Sequence, residues 1–469
     1  MGIEGENHSQ VSDDMFSILK SPSAGIGPRL GRLSIPGRHT IETPHYLGIT
    51  SRGAIPHISQ DTFARDAHIQ GVYVPLEDFI ERAPERVPPL YLYKAPDGAS
   101  PLRRYIALPD QSLLVLGARR CPPVAAPAAN SNTDQTVSVS TNVGFKLLHA
   151  QDYREAVEKL DADILVALGD IQYGRTLGSK RITKAVDRNI DWLQDHIAAR
   201  NAQPSKSTRA KLFASLLPVS CDNQKYWVEY LADDAVKHIS GLALYDSCTL
   251  ADMPQQLRHL PVLGFTLPET PHEVLRQVGL GMDVTTIPFI TYATDAGIAL
   301  DFTFPSPESN DSNEVSPRAL GVDMWPEVHA TDLSPFKEGC QCYACTNHHR
   351  AFIQHLLAAK EMLGWVLIQI HNHHTMDLFF AAIRESIRNE TFDRDVKEFA
   401  RVYESQLPAK TGKGPRVRGY QFKSEGPGEP KKNTAPFQVR DKSSGEGNPL
   451  MNDANAQQLE NQGFAEKTG

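Results

Sequence analysis

With 469 residues, 40% of them hydrophobic and 22% charged, the chain has enough apolar material for a substantial core and reads as one large domain with extras or as two domains. A net charge of −8 and a pI near 6.1 exclude a globally basic nucleic-acid binder, so any such role must use a local patch. Of six cysteines, Cys121, Cys221 and Cys248 are scattered, which fits a reducing compartment rather than a disulfide framework.

Residues 1–14 are polar, lack the apolar core of a signal peptide, and are expected to be disordered. No stretch approaches the length of a membrane span, and a cytoplasmic location is expected. From Arg29 to Thr50, Leu33 and Ile35 alternate ahead of a Pro36–Gly37 turn and a second strand begins at Thr40, a hairpin signal. Arg29, Arg32 and Arg38 in this segment could touch phosphate, although a solvated face is the plainer reading. Residues 82–110 are proline-rich without periodicity. Residues 121–135 form a low-complexity loop, after which T-V-S-V-S-T alternates like an edge strand.

From about Val143 the pattern becomes regular. A helix over Gln151–Leu160 precedes an apolar strand at Ile164–Leu168. A second helix over Arg181–Arg200 follows, with Ile182, Val186, Ile190, Leu193 and Ile197 at helical spacing. Strands at Leu212–Leu217, Ile239–Leu244, Pro261–Phe265 and Asp283–Pro288 are separated by helices around Tyr226–Ala235 and Pro271–Val278. Continuous apolar strands alternating with helices predict a parallel sheet buried on both faces, and the repeat favours an α/β fold of the (β/α)8 TIM-barrel type. No G-x-G-x-x-G follows a strand, which argues against dinucleotide binding.

Near the end of this series Cys340, Cys342 and Cys345 form a C-x-C-x2-C knuckle, and His371 follows Cys345 after 25 residues. Three thiolates and one imidazole are the ligand set of a closed, four-coordinate structural Zn2+ site. A disulfide is the poorer reading, because C-x-C bonds are sterically unfavourable and nothing else looks secreted. His348, His349, His355, His373 and His374 compete with His371, which has in its favour a place at the end of the apolar run V-L-I-Q-I. Beyond the knuckle, Met376, Phe379, Phe380, Ile383 and Ile387 make a stripe expected to pack in the core, with a partner interface as the alternative. Residues 407–469 are rich in Gly, Pro, Lys and Asn without hydrophobic period and read as a disordered tail.

The knuckle, the following N-H-H-R-A-F-I-Q-H-L, then E-M-L-G and H-N resemble the zinc-binding end of the tRNA-guanine transglycosylase family. R-L-G-R-L…I-E-T-P near the N-terminus resembles the family's opening hairpin, and S-G-L-A-L (Ser240–Leu244) its G-G-L-A-V strand. The likeness implies a TIM barrel over 15–406 that includes a zinc subdomain at about 331–375, with Cys340, Cys342, Cys345 and His371 as zinc ligands. The family reaction exchanges a guanine in the tRNA anticodon through an aspartate nucleophile that attacks the ribose, a second aspartate handling protons.

The chain departs from the family at that chemistry. Where the nucleophile is expected, the sequence reads G-M-D-V-T-T-I-P, which puts Thr286 or Val284 in its place, and Asp283 matches an earlier, structural aspartate. No S-G-G occurs anywhere, and Leu216–Ser220 replaces the expected base-recognition glycines. The resemblance therefore points to a non-catalytic, accessory branch of the family. It implies a heterodimer with a catalytic queuine tRNA-ribosyltransferase subunit, docked partly through the zinc region. It also implies tRNA as a partner, in the form of GUN-anticodon tRNAs (Asp, Asn, His, Tyr) that receive queuosine at the wobble position. Candidate phosphate contacts are Arg175, Lys180, Arg181, Lys184 and Arg350. Two alternatives remain: an independent enzyme using a displaced carboxylate, Asp170 or Asp283, and a zinc-stabilised interaction module unrelated to tRNA. The resemblance allows peripheral association with the mitochondrial outer membrane, although no residue encodes an anchor.

Overall fold

The computed structural model describes residues 15–22, 25–174, 176–202, 210–306 and 317–415. Its centre is a closed barrel of eight parallel strands: β1 (His45–Ile49), β2 (Gly71–Pro75), β3 (Leu113–Gly117), β4 (Ile164–Val166), β5 (Lys211–Ser215), β6 (Gly241–Leu244), β7 (Val262–Gly264) and β8 (Val284–Thr286). Each pairs with the next in sequence, and Val284, Thr285 and Thr286 close the ring on His45, Tyr46 and Leu47. The fold is thus the (β/α)8 barrel expected from the alternating pattern.

Strand periodicity explains why the strands read as continuously apolar. On β3, Leu113 and Val115 face the barrel interior with Leu47, Tyr73, Ile164, Phe213 and Leu263. Leu114 and Leu116 face the outer layer with Val157, Leu160 and Leu165. Both faces are buried, so both must be apolar. Gly241 lets Phe213 fill the interior, since a Cβ there would lie 2.5 Å from the phenyl ring.

Around the barrel lie α1 (Ala150–Leu160), α2 (Ser179–Ala202), α3 (Pro271–Gly279) and α4 (Phe289–Asp295). Two barrel strands, β2 and β3, were not apparent in the sequence. They are joined by a 37-residue passage, 76–112, with only short helices in it, so the strand-helix rhythm is lost there. The hairpin strand expected from Thr40 is in fact two strands. Ile41–Thr43 completes a three-stranded antiparallel sheet with Phe16–Lys20 and Leu30–Leu33, and His45–Ile49 then enters the barrel. T-V-S-V-S-T pairs with Gly144–His149 in a hairpin.

Arginines close the N-terminal end of the barrel. Arg29 holds Asp283 through two hydrogen bonds. Arg38 and Arg103 hold the two oxygens of Asp163 at 2.8 and 2.6 Å. Arg29 and Arg38 are therefore structural, not phosphate contacts, because both guanidinium groups satisfy buried carboxylates.

After β8 the chain builds a second layer from Ile298–Leu300, antiparallel to Gly321–Asp323, and from α5 (Tyr343–Asn347), α6 (Arg350–Ala358), α7 (Met362–Arg388) and α8 (Phe392–Val402). The 27-residue α7 is the spine shared by both layers. Its first half packs Trp365, Leu367 and Ile368 against Phe336, Ile353 and Leu357. Its second half packs Met376, Phe379, Phe380, Ile383 and Ile387 against Tyr46, Ile290 and Leu300, as the stripe predicted. Residues 407–415 continue across this layer, while 1–14 and 416–469, expected to be disordered, lie outside the described residues. Among the described residues no helix is long and apolar enough to cross a membrane.

Candidate metal centre and barrel mouth

The knuckle begins at Gly339, whose φ of +76° favours glycine. Cys342 then caps α5, its sulfur accepting the Cys345 N–H at 3.4 Å, so a single helical turn brings the second and third cysteines together. The helical spine α7 supplies His371 from the opposite side. Its Nδ1 lies 3.6 Å from Cys340 Sγ, 3.6 Å from Cys342 Sγ and 3.4 Å from Cys345 Sγ. All four ligand atoms fall within 4.8 Å of one another. A tetrahedral ion with bonds of about 2.3 Å to sulfur and about 2.0 Å to nitrogen sets its ligand atoms about 3.6 Å apart, so the donors present fit such an ion.

The orientation of His371 is built in. Its Nε2 donates to the Leu300 carbonyl at 2.9 Å. A carbonyl only accepts, so Nε2 carries a proton and Nδ1 is the ring atom that faces the sulfurs. Asn372 pins the same strand: its side chain accepts the Leu300 N–H at 2.8 Å and donates to Ile298 O and Thr294 Oγ1. The His-Asn pair thus ties the knuckle and the spine to one strand. Burial alone would hold His371 neutral, but the neighbouring sulfurs of Cys340 and Cys345 lift it to about 9. A divalent cation on the same four atoms would displace the protons they share.

Three of the competing histidines have other partners, whereas His374 also interacts with Cys340 but is not among the four converging ligands. His348 stacks on Phe352 at 5.1 Å, His349 caps α6 through the Phe352 N–H, and His373 lies against Gln369 and Tyr46.

The C-terminal end of the barrel is where barrel enzymes place their chemistry. Here it is lined by Tyr73, Tyr173, Tyr245, Phe265, Arg119 and Cys121, among other residues, and among the described residues that line it there is no carboxylate. The rings fill the space: Tyr245 stacks on Phe265 at 5.3 Å and Tyr73 meets Phe265 edge-on at 4.7 Å. What remains has room for a water molecule or so. Thr286 donates to the Gly264 carbonyl at 3.1 Å and lies 3.2 Å from Cys121 Sγ. Burial pushes the Cys121 thiol up to about 12 and raises the hydroxyls of Tyr73, Tyr173 and Tyr245, so none of these groups offers an anion at neutral pH. Val284 faces the barrel interior as packing.

Both candidate aspartates are engaged elsewhere. Asp283 lies just before β8, at the opposite end from the mouth, bound by Arg29 and by the Val262 N–H at 2.7 Å. Asp170 follows β4 at the correct end, but its carboxylate is fully buried. It accepts from Asn132 at 2.6 Å, Arg181 at 2.6 Å and Arg188 at 2.8 Å.

Among the proposed phosphate contacts, Arg181 reaches inward to Asp170, and Arg350 donates to the Pro335 and Phe336 carbonyls, tying the approach to the knuckle. Lys180 and Lys184 are exposed at the start of α2. Arg175 lies outside the described residues. The Cys121–Thr286 contact was not foreseeable, because locating Cys121 at the mouth requires β3, and β3 was hidden by the irregular passage before it.

The fold and site define a TIM barrel that carries a Cys3His knuckle on a helical layer after its last strand. A family model described as queuine tRNA-ribosyltransferase matches residues 25–405, and the chain belongs to that family. It is 34% identical over 411 residues to the queuine tRNA-ribosyltransferase accessory subunit 2 of Schizosaccharomyces pombe, covering 87% of this chain and 88% of that one. Proteins of the same name from Xenopus tropicalis (28% identical, covering 77% of this chain and 94% of that one) and Drosophila mojavensis (26%, covering 80% and 89%) are similar.

Proposed function

We propose that this protein is the non-catalytic accessory subunit of a heterodimeric queuine tRNA-ribosyltransferase. In this reading it pairs with a catalytic subunit in the cytoplasm and helps hold GUN-anticodon tRNAs while the partner exchanges guanine for queuine at the wobble position. The observation that carries the reading is the barrel mouth. In the exchange reaction a carboxylate attacks the ribose to break the glycosidic bond, whereas this mouth presents a hydroxyl, Thr286, beneath a neutral thiol, Cys121. Asp170 and Asp283 do not replace it, since each is bound by arginine and buried.

We assign the knuckle to zinc, which would be held by Cys340, Cys342, Cys345 and His371. With four protein donors and no open position, the ion supplies folding free energy rather than an activated water. The layer it stabilises exposes Val328, Leu333 and Tyr343, apolar surface that suits a subunit contact. Lys180 and Lys184 are the described candidates for tRNA phosphate.

The test is exchange of labelled queuine into tRNA by the chain alone and after mixing with a catalytic homologue. Exchange only in the mixture is expected. Exchange by the chain alone, or a covalent tRNA adduct trapped on it, would defeat the proposal.

A further inference from the structure

Of the three arginines in the opening segment, Arg29 and Arg38 are committed to buried carboxylates, and Arg32 is not. Arg32 lies on the small antiparallel sheet, directly across from Glu42. Strand alternation sets where it points. Leu33, Ile41 and Thr43 turn into the core, so Arg32, Ser34, Thr40 and Glu42 share the other face. That face is one wall of an open cleft of about 620 Å³. Gln70, the residue before β2, and Arg384, near the end of α7, complete its lining. The cleft therefore sits at the N-terminal end of the barrel, away from the mouth.

The donors of this cleft are largely unspent. The Arg384 side chain is only 15% exposed, yet its guanidinium makes one hydrogen bond among the described residues, from Nη1 to the Pro44 carbonyl at 2.9 Å. Arg384 Nε and Arg32 Nη2 each stop 3.9 Å from a different oxygen of Glu42. An ion pair that satisfied both partners would close to about 2.8 Å, so two cations frame one carboxylate without bonding to it. Ser34 Oγ and Thr40 Oγ1 stand 3.5 Å apart, at the limit of a hydrogen bond. Burial pulls the Arg384 pKa down from its usual value, and an anion beside it would oppose that pull. Gln70 adds the opposite need: its Oε1 is buried without a hydrogen-bond partner.

We propose that this cleft binds a phosphate group with a hydroxyl beside it, as in a ribose phosphate. Arg32 and Arg384 would take the phosphate oxygens, and the Ser34 and Thr40 hydroxyls would donate to the same group. The Glu42 carboxylate and Gln70 Oε1 accept and do not donate, so they would take the sugar hydroxyls. Two guanidinium groups against one carboxylate leave the lining positive, which disfavours a metal cation or an amine. The ligand is either a free sugar phosphate or a phosphate of an RNA chain, and the test separates the two. The inference does not draw on the accessory-subunit reading above, since it concerns the end of the barrel opposite the mouth.

The test is calorimetric titration of the full chain, at low ionic strength, with inorganic phosphate and with ribose 5-phosphate. Both are expected to bind, ribose 5-phosphate about fivefold more tightly because its hydroxyls reach the two acceptors. Arg32→Gln, at an exposed position, should weaken both about tenfold by removing a charge-assisted pair. Glu42→Gln should move the two ligands apart from the parent in a way that a general loss of fold would not. Inorganic phosphate should bind about threefold more tightly once the competing charge is gone, and the preference for ribose 5-phosphate should shrink. A parent chain that binds neither ligand would overturn the proposal. So would parental affinity for both ligands in Arg32→Gln, or phosphate affinity that does not rise in Glu42→Gln. Displacement of bound ribose 5-phosphate by a tRNA anticodon stem-loop would identify RNA as the source of the phosphate, and no displacement would identify a free sugar phosphate. Queuine exchange plays no part in these readings, so the accessory-subunit proposal stands or falls separately.

Discussion

The cysteine knuckle and the barrel mouth lie in one chain of the queuine tRNA-ribosyltransferase family, and they differ in what their polar groups do. At the knuckle every donor converges: three sulfurs and Nδ1 face one point, and the far side of the imidazole is held by a carbonyl. At the mouth the polar groups diverge or are neutral. Thr286 turns to a backbone carbonyl, Cys121 keeps its proton, and aromatic rings leave room for about one water molecule. Under the accessory-subunit proposal, the contrast teaches that a fold can keep the part that holds it together while the part that reacts is filled in, because only the first is under an energetic obligation to the rest of the chain.

The sharpest way to break this comparison is at the knuckle. Cys342→Ser removes one of four donors, and metal affinity is folding free energy in a site of this kind. We expect zinc content to fall from one per chain to near zero and the metal layer to melt separately, at a cost of several kcal/mol. Subunit association should fail with it. Metal analysis beside a thermal melt and native mass measurement reads all three, and a folded, metal-free, dimeric variant would contradict the assignment.

Next in size is the foot of the barrel. Asp283→Ala leaves Arg29 buried without a counter-charge and the Val262 N–H without an acceptor. Removing one partner of a buried ion pair costs about 3–5 kcal/mol, measurable by urea unfolding. If the aspartate is structural, exchange by the folded heterodimer stays unchanged per molecule. If it is a displaced nucleophile, exchange disappears at full stability.

A smaller effect concerns pH. His45, on β1, is buried with both ring nitrogens unpartnered, and burial with nearby Arg384 lowers its pKa to about 3. The unfolded chain takes up a proton near pH 6.5 that the folded chain refuses until about pH 3. Stability from this group is complete above 6.5 and is lost on acidification, by about 1.4 kcal/mol per pH unit at most. His45→Leu should therefore reduce the loss between pH 7 and pH 5 by about 2 kcal/mol. Parallel pH profiles in parent and variant would show that the ring does not titrate as described.

Much of this was legible in the sequence where one period or one ligand spacing dominated. The later strands and α2 declared themselves, because a strand buried on both faces is continuously apolar and a flanking helix repeats every 3.6 residues. C-x-C-x2-C named the sulfurs outright. The choice of His371 needed the resemblance, since which imidazole reaches the sulfurs depends on how α7 crosses the Ile298–Leu300 strand. β2 and β3 were hidden by the irregular passage between them, and with them the position of Cys121. The inward turn of Arg29, Arg38, Arg181 and Arg350 was also invisible, because a charge in a sequence carries no sign of whether it meets water or a buried carboxylate.

The smallest expected effect is the most informative about the mouth. Thr286→Asp restores a carboxylate at the position reached by counting from Gly281 in G-M-D-V-T-T. If the comparison above holds, the variant gains no exchange activity alone and traps no tRNA adduct. The new carboxylate would face a neutral thiol 3.2 Å away, with Tyr73, Tyr245 and Phe265 filling the space a nucleoside needs. Its burial without a cation would cost about 1–3 kcal/mol and raise its own pKa, so it would sit protonated and unreactive. A single carboxylate is then insufficient because the volume around it has been lost as well. Labelled guanine exchange by the Thr286→Asp chain alone would reverse this conclusion, and would mean that the rings move aside for a base and that one side chain is all that separates this barrel from a catalyst.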